Sequence, residues 1–382
     1  MEKKNLFWQK NEKYKKETIE GYGKIKFEKL ISYGKIRNPQ EDFKLIEQKI
    51  EYRKDPLTKH YSRINRLRAE RVKQANLPGE NVEDNIKKLI DNSMEKCFFC
   101  PVNVSKSTPK LPEELGLGER FTNGDFLLFP NLYVFSENHA IGVLGKEHFT
   151  HLKDFKTKIW KEAIKGSIEY FKAVYKNNNK NIYPSINFNY LPPSASSIIH
   201  PHIQIIQDCQ PTKYTQILLD ESYNYSKKNK KSAKSFGNYW LDLIESEKKL
   251  NERFIFENDF ITWLASFSPM GKDELLGTVK IAKTDITTFT ENEIEEIAKS
   301  IVTAFNALYQ GRGSMSINMA TYLGPIGYNL SKYFRITIKI VSRPILTPNY
   351  TGDIGFMELL HNEPIAAATP EVIAETVKKY FQ

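Results

Sequence analysis

Cysteine is scarce in this chain. Only Cys97, Cys100 and Cys209 occur in 382 residues, too few for a disulfide framework. No apolar run approaches membrane-spanning length, and no apolar signal segment follows the lysine-rich start. A disulfide-stapled secreted domain and a membrane span are therefore not expected, and the chain reads as soluble and cytoplasmic. A nucleic-acid-binding motif is also missing, although the charge is lopsided. The net charge is +10, and residues 1–73 alone hold 21 Lys+Arg against 11 Asp+Glu. A basic end can meet nucleic acid or another polyanion, but without a motif beside it the reading is a solvated basic surface, and nucleic acid is not the expected partner.

What is present is enough apolar material for a sizeable core. Hydrophobic residues make up 40% and aromatic residues 12% of the chain. The length fits two domains or one large one. Trp160, Ile164, Ile168, Phe171 and Tyr175 recur at spacings of three and four, which predicts a helix over 156–175. Ile294, Ile297, Ile301, Phe305 and Leu308 predict another over 291–309. Thr369-Pro370-Glu371 reads as a helix start. Residues 1–45 read as a basic extension of mixed helical potential. The polar, basic stretch from Ser226 to Gly237 reads as a loop and a domain boundary.

The chain also repeats itself. Ser185-Ile186-Asn187 and the Tyr190-Leu191-Pro192 downstream of it resemble Ser316-Ile317-Asn318 and Tyr322-Leu323-Gly324. The segment from His200 to Ile205 aligns with Arg335 to Ile340. Both halves read strand, strand, helix, strand, loop, strand. A repeat of this length implies two similar α+β domains. Only the first copy keeps histidines, because Arg335 and Thr337 stand where His200 and His202 stand. The pattern therefore implies one active site per chain.

That first copy carries the chemistry. In a strand, His200, His202 and Gln204 would share one face, with Ile203 and Ile205 on the other. The run follows a small-residue loop containing Ser196 and Ser197. An imidazole there can attack phosphorus, ligate a metal or hold a phosphate. Gln204 can donate to a non-bridging phosphate oxygen where charge builds. The two cysteines form a CxxC, for which metal binding and buried thiols are the two readings. With a histidine near residue 148 and His200 they would make a closed two-Cys, two-His set, as in structural zinc sites. Arg68 and Arg71, three apart, suit phosphate oxygens if they meet on one face.

Four separated motifs resemble the galactose-1-phosphate uridylyltransferase family, within the histidine-triad superfamily. They are Arg53-Lys54-Asp55-Pro56-Leu57-Thr58 with the later Arg68-Ala69-Glu70-Arg71, the segment Cys97 to Pro101, the segment His148 to Phe155, and the segment Asn189 to Gln204. The resemblance covers residues 50–382 and is specific mainly in the first half. It implies an α+β fold of two tandem histidine-triad-like domains, each an antiparallel sheet packed with helices. Their expected extents are a catalytic domain over 46–230 and a second domain over 231–382 that lacks the histidines, with residues 1–45 as the extension.

The resemblance also assigns roles. His202 would be the nucleophile that accepts a nucleoside monophosphate, with Gln204 stabilising the adduct. Asn189, Ser196, Ser197, Arg68 and Arg71 would contact phosphates. Cys97, Cys100, His148 and His200 would hold a structural zinc, with His139 and His151 near but less well placed. Phe121-Thr122-Asn123-Gly124-Asp125-Phe126 would meet the nucleoside through Asn123, although Gly124 is an insertion in that motif. The expected partners are a nucleotide-sugar or other nucleotide and a phosphate or sugar-phosphate acceptor. The closing segment of the family often reaches across a dimer interface, so a homodimer is among the expectations. The family's second metal site is not expected here, nor is galactose specificity. A phosphorylase using inorganic phosphate with ADP-glucose or a dinucleoside polyphosphate is the nearest alternative. A non-catalytic nucleotide- or nucleic-acid-binding protein is the second.

Overall fold

A computed structural model describes residues 14–70, 82–347 and 350–381. The chain runs β1 (Lys15–Glu20), β2 (Lys26–Asn38), β3 (Lys44–Lys54), β4 (Tyr61–Ile64), α1 (Val82–Met94) and α2 (Pro101–Ser107). The first repeat comprises β5 (Phe121–Asn123), β6 (Phe126–Pro130), β7 (Asn138–Leu144), α3 (Thr157–Asn177), β8 (Tyr183–Tyr190) and β9 (His202–Asp208). Two helices intervene, α4 (Lys213–Lys228) and α5 (Tyr239–Leu250). The second repeat is β10 (Phe254–Glu257), β11 (Ile261–Ala265), β12 (Leu275–Val279), α6 (Glu291–Arg312), β13 (Ile317–Tyr322) and β14 (Thr337–Ser342). The chain closes with α7 (Phe356–Leu359), β15 (Ile365–Ala366) and α8 (Pro370–Lys378). The class is α+β.

The two repeats share one ten-stranded sheet of order β10-β11-β12-β14-β13-β8-β9-β7-β6-β5. Read inward from either edge, the order within a repeat is the same, so a pseudo-twofold axis passes through the seam between β8 and β13. The seam is antiparallel, with Asn189 opposite Asn318 and Phe188 opposite Met319. The long helices predicted from periodicity are α3 and α6, which pack side by side on one face across the seam. Their aromatic contact is direct: Trp160 and Phe305 lie 5.2 Å apart, each also against Phe188. α6 begins with a capping box, Thr290 accepting from Glu293 N and Glu293 returning to Thr290 N. It ends at Gly313, whose φ of +63° suits the left-handed cap. On β7, a side chain at Gly142 would strike the Phe126 ring, so glycine lets that ring seat between sheet and helix.

The opposite face is covered unevenly. Over the second repeat lie α4, α5 and a small sheet of order β1-β2-β3-β4-β15. Phe27, Leu57, Leu218, Leu243 and Phe267 pack there with Leu264 and Leu276 of the large sheet. Over the first repeat, among the described residues, the α2 segment and its cysteines pack in a small cluster with Phe129 and Val143. The described part of residues 1–45 is strand rather than helix. Phe27 and Ile31, four apart on β2, face inward in an otherwise charged hairpin, and cross-strand pairing decides the conformation. β3 runs through residue 45, so the extension joins β3 and β4 in one sheet. No helix of the described residues is long and apolar enough to cross a membrane.

Candidate active site

The strand carrying the histidine run starts at His202, two residues later than the alternation pattern implies. His202 pairs with Val143, and Gln204 pairs with Ile141 on one side and Asn187 on the other. Directly paired residues share a face, so His202, Gln204 and Asn187 line the side away from α3, while Ile203 and Ile205 enter the core. His200 sits in the turn before the strand. It therefore joins the site through that turn rather than through strand alternation.

The turn fixes the His202 tautomer. Its Nδ1 lies 2.8 Å from the His200 carbonyl, and a carbonyl can only accept. Nδ1 therefore carries the proton and Nε2 keeps its lone pair. Phe99, one of the two residues inside the CxxC, packs edge-on against the His202 ring at 5.0 Å. Burial pulls the His202 pKa below the usual histidine range, opposed by the bond to the His200 carbonyl. Burial outweighs the bond and favours the neutral ring.

Cys97, Cys100, His148 and His200 are all buried, and their ligand atoms lie within 4.8 Å of one another. Cys100 Sγ is 3.3 Å from His148 Nδ1 and 3.6 Å from His200 Nδ1, and Cys97 Sγ is 3.9 Å from His200 Nδ1. The outer nitrogens are both engaged. His200 Nε2 donates to the Gly145 carbonyl at 3.0 Å. His148 Nε2 faces Ser93 Oγ at 2.9 Å, and that hydroxyl spends its own proton on the Leu89 carbonyl at 2.6 Å. Each imidazole thus turns a bare Nδ1 toward the two thiols, the arrangement that metal-bound histidines take from their outer partners. Without a cation the pocket resists charge: burial and the Cys97 thiol push the Cys100 thiol up to about 12. Burial likewise lowers His200 to about 4 and pulls His148 down. The donor set fits a metal ion. Ser93 and Phe99 were not legible as site residues, because neither has a spacing relation to the histidines.

The remaining residues divide. Gln204 Oε1 is 3.1 Å from His139 Nε2, so this histidine supports the glutamine rather than the metal group. Burial lowers the His139 pKa. Asn189 lies at the seam on the Gln204 face, its Oδ1 accepting from Asn318 at 2.7 Å. Ser196 is buried and donates to the Ile198 carbonyl at 2.8 Å, shaping its own loop, whereas Ser197 is exposed. Arg68 is exposed on a 3-10 turn spanning Arg66–Glu70, and Arg71 lies outside the described residues. Asn123 is not brought to the histidines. Gly124, at φ +64°, makes a tight turn that sets Asn123 opposite Phe126, on the α3 face. There the Asn123 amide donates to the Glu162 carbonyl at 3.0 Å.

No family model matches the chain. A protein of Archaeoglobus fulgidus described as uncharacterized is 28% identical over 339 residues, covering 88% of this chain and 94% of that one. Among solved structures, an ADP-glucose phosphorylase from Arabidopsis thaliana with bound ADP-glucose matches with a TM-score of 0.64 at 15% identity, covering 86% of this chain and 99% of its own. A GalT-like protein from Arabidopsis thaliana matches with a TM-score of 0.62 at 15% identity, covering 86% and 98%. A uridylyltransferase matches with a TM-score of 0.60 at 20% identity, covering 87% and 98%. The fold of this chain is the fold shared by the uridylyltransferase, the GalT-like protein and the ADP-glucose phosphorylase.

Proposed function

We propose that the chain is a nucleotidyltransferase that works by double displacement at His202, on a nucleotide-sugar or another nucleotide. The observation that carries this reading is the hydrogen bond from His202 Nδ1 to the His200 carbonyl, which leaves Nε2 as a neutral nucleophile beside the Gln204 amide. In the first step Nε2 bonds to the α-phosphorus while the bond from phosphorus to the bridging oxygen breaks, and the electron pair leaves with the departing phosphate. The ring keeps its Nδ1 proton, and the His200 carbonyl accepts from it as the ring becomes positive. In the second step a phosphate oxygen of the acceptor attacks the same phosphorus. The P–N bond breaks and the ring returns to neutral.

Gln204 supplies an NH2 to a non-bridging oxygen, since its carbonyl oxygen already faces His139. Ser197 and Asn189 contact phosphate from the loop and the seam, joined by Arg68. Ser196 holds the loop in shape. The two-Cys, two-His group holds a structural zinc through Cys97, Cys100, His148 and His200. All four zinc positions would be filled by protein, so these residues would fasten the CxxC segment to the turns before β9 and after β7, away from the transfer itself. The likeness in fold to an ADP-glucose phosphorylase supports a second reading, with inorganic phosphate as acceptor at the same site.

Initial-rate kinetics test the proposal. A panel of nucleotide-sugars with hexose 1-phosphates or inorganic phosphate should give parallel double-reciprocal plots for one donor. The preferred acceptor then separates transferase from phosphorylase. Intersecting plots would contradict a covalent intermediate, and turnover with none of the pairs would favour a binding protein.

A further inference from the structure

The half that lost the histidines still reaches the site. Asn318 of β13 lies across the seam from Asn189. Arg343, just after β14, donates through Nη1 to Asn318 Oδ1 at 2.7 Å and through Nη2 to Asp353 Oδ1 at 2.7 Å. A guanidinium has no acceptor, so the Asn318 oxygen must face Arg343 and its NH2 must face the other way. That NH2 donates to Asn189 Oδ1 at 2.7 Å and to the Ser194 carbonyl at 2.9 Å. The Asn189 oxygen is thereby committed to β13. Asn189 lies on the β8 face that carries Asn187, which pairs with Gln204, so with its oxygen held by β13 its NH2 is left for the face of the histidine strand. Each amide orientation is set by the one before it, and a charge sets the first.

The bond to Ser194 matters for a second reason. Leu191 at φ +70° and Ala195 at φ +69° bracket that residue in backbone conformations that side chains disfavour. A loop of this kind keeps its shape only where neighbours hold it. The held carbonyl lies between the two strained residues, in the loop that leads to Ser197.

We propose that Arg343 and Asn318 are positioning residues for the nucleotide site, orienting the Asn189 amide and the 191–197 loop toward phosphate. This rests on the nucleotidyltransferase reading. It makes the single site a product of both repeats, with the second supplying orientation instead of chemistry.

The discriminating variant is Asn318→Asp. It is isosteric and keeps the pair with Arg343, but it cannot donate. A role in packing alone would tolerate it. The expected result is a fall of about 10²-fold in kcat/KM, carried mainly by kcat, with metal content and thermal midpoint close to wild type. Arg343→Met should fall similarly and Arg343→Lys less. Side-chain amide NMR reads the relay without any activity. The Asn189 NH2 resonances, assigned by their loss in Asn189→Asp, should move in Asn318→Asp and in Arg343→Met while the backbone spectrum stays in place. Unchanged kinetics together with unmoved Asn189 signals would overturn the proposal. If the wild type transfers no nucleotide from any donor, the function reading fails, and the NMR shifts still decide whether the relay exists.

Discussion

The two repeats share a strand order and differ in what they place on one face. In the first, His202 and Gln204 sit beside a buried group of two thiols and two imidazoles. In the second, Thr337 and Lys339 occupy the matching strand positions, and Lys339 Nζ pairs with Glu274 at 2.8 Å. Burial opposes the lysine charge, yet Glu274 and the Tyr214 and Tyr322 rings around it hold its pKa well above the usual value. Arg335, in the His200 position, donates to the Ser331 and Phe334 carbonyls and faces no thiol. The small sheet, α4 and α5 then close over this face with an apolar cluster. A duplicated architecture thus spends one copy on a site and the other on a core. The same sheet carries both because strand alternation lets one face change while α3 and α6 keep the other.

Four substitutions sharpen that contrast. The largest effect is expected in the first repeat from Cys97→Ser. Metal analysis should fall from about one zinc per chain to near none, with a lowered thermal midpoint, because His200 and His148 then face each other without a cation. Next, Gln204→Ala should slow transfer by roughly 10²–10³-fold with little change in stability, since a lost hydrogen-bond donor to developing charge costs about that much. In the second repeat the pattern should invert. Lys339→Met should leave kinetics untouched and cost about 3–5 kcal/mol in urea unfolding, because it strands the buried Glu274 carboxylate. The double variant with Glu274→Gln should recover most of that loss.

The smallest effect concerns the fastening of the cover. Glu371 of α8 accepts from Arg53 of β3 at 2.8 Å and from Arg253 at 3.0 Å. Burial alone would raise its pKa, but the Arg53 and Arg253 guanidiniums hold it down at about 2. A depressed carboxylate pKa means stability present above the unfolded value of 4.5 and lost as pH falls toward 2. With 32% of the side chain meeting solvent, screening trims the contribution to about 2 kcal/mol. Glu371→Gln should lose about that much at pH 7 and show a flatter acid limb in stability against pH.

Much of this was legible in the sequence for physical reasons. The CxxC, His148 and the His-x-His-x-Gln run are dense in groups that need partners when buried, so their grouping could be anticipated before the fold. α3 and α6 announce themselves by apolar spacing, and the repeat shows as two copies of one strand-helix pattern. The misreadings have equally definite causes. Residues 15–54 carry too few apolar residues to reveal strand alternation, and β2 and β3 are held as a hairpin by cross-strand pairing. Asn123 sits in a motif that Gly124 lengthened by one, and one residue in a strand register exchanges the two faces. Asn318 and Asn189 are 129 residues apart, and only the antiparallel seam makes them neighbours. Ser93 reaches His148 because α1 packs against the turn after β7, which no local spacing encodes.

The proposed reaction requires a nucleotide carried on His202. Its most direct test is the intact mass of the chain after incubation with UDP-glucose and other nucleotide-sugars in the absence of acceptor, combined with peptide mapping. The expected result is an increment of one nucleoside monophosphate, mapped to the peptide containing His202, removed by adding acceptor and absent in His202→Ala. An increment that persists in His202→Ala, or none with any donor, would contradict the account.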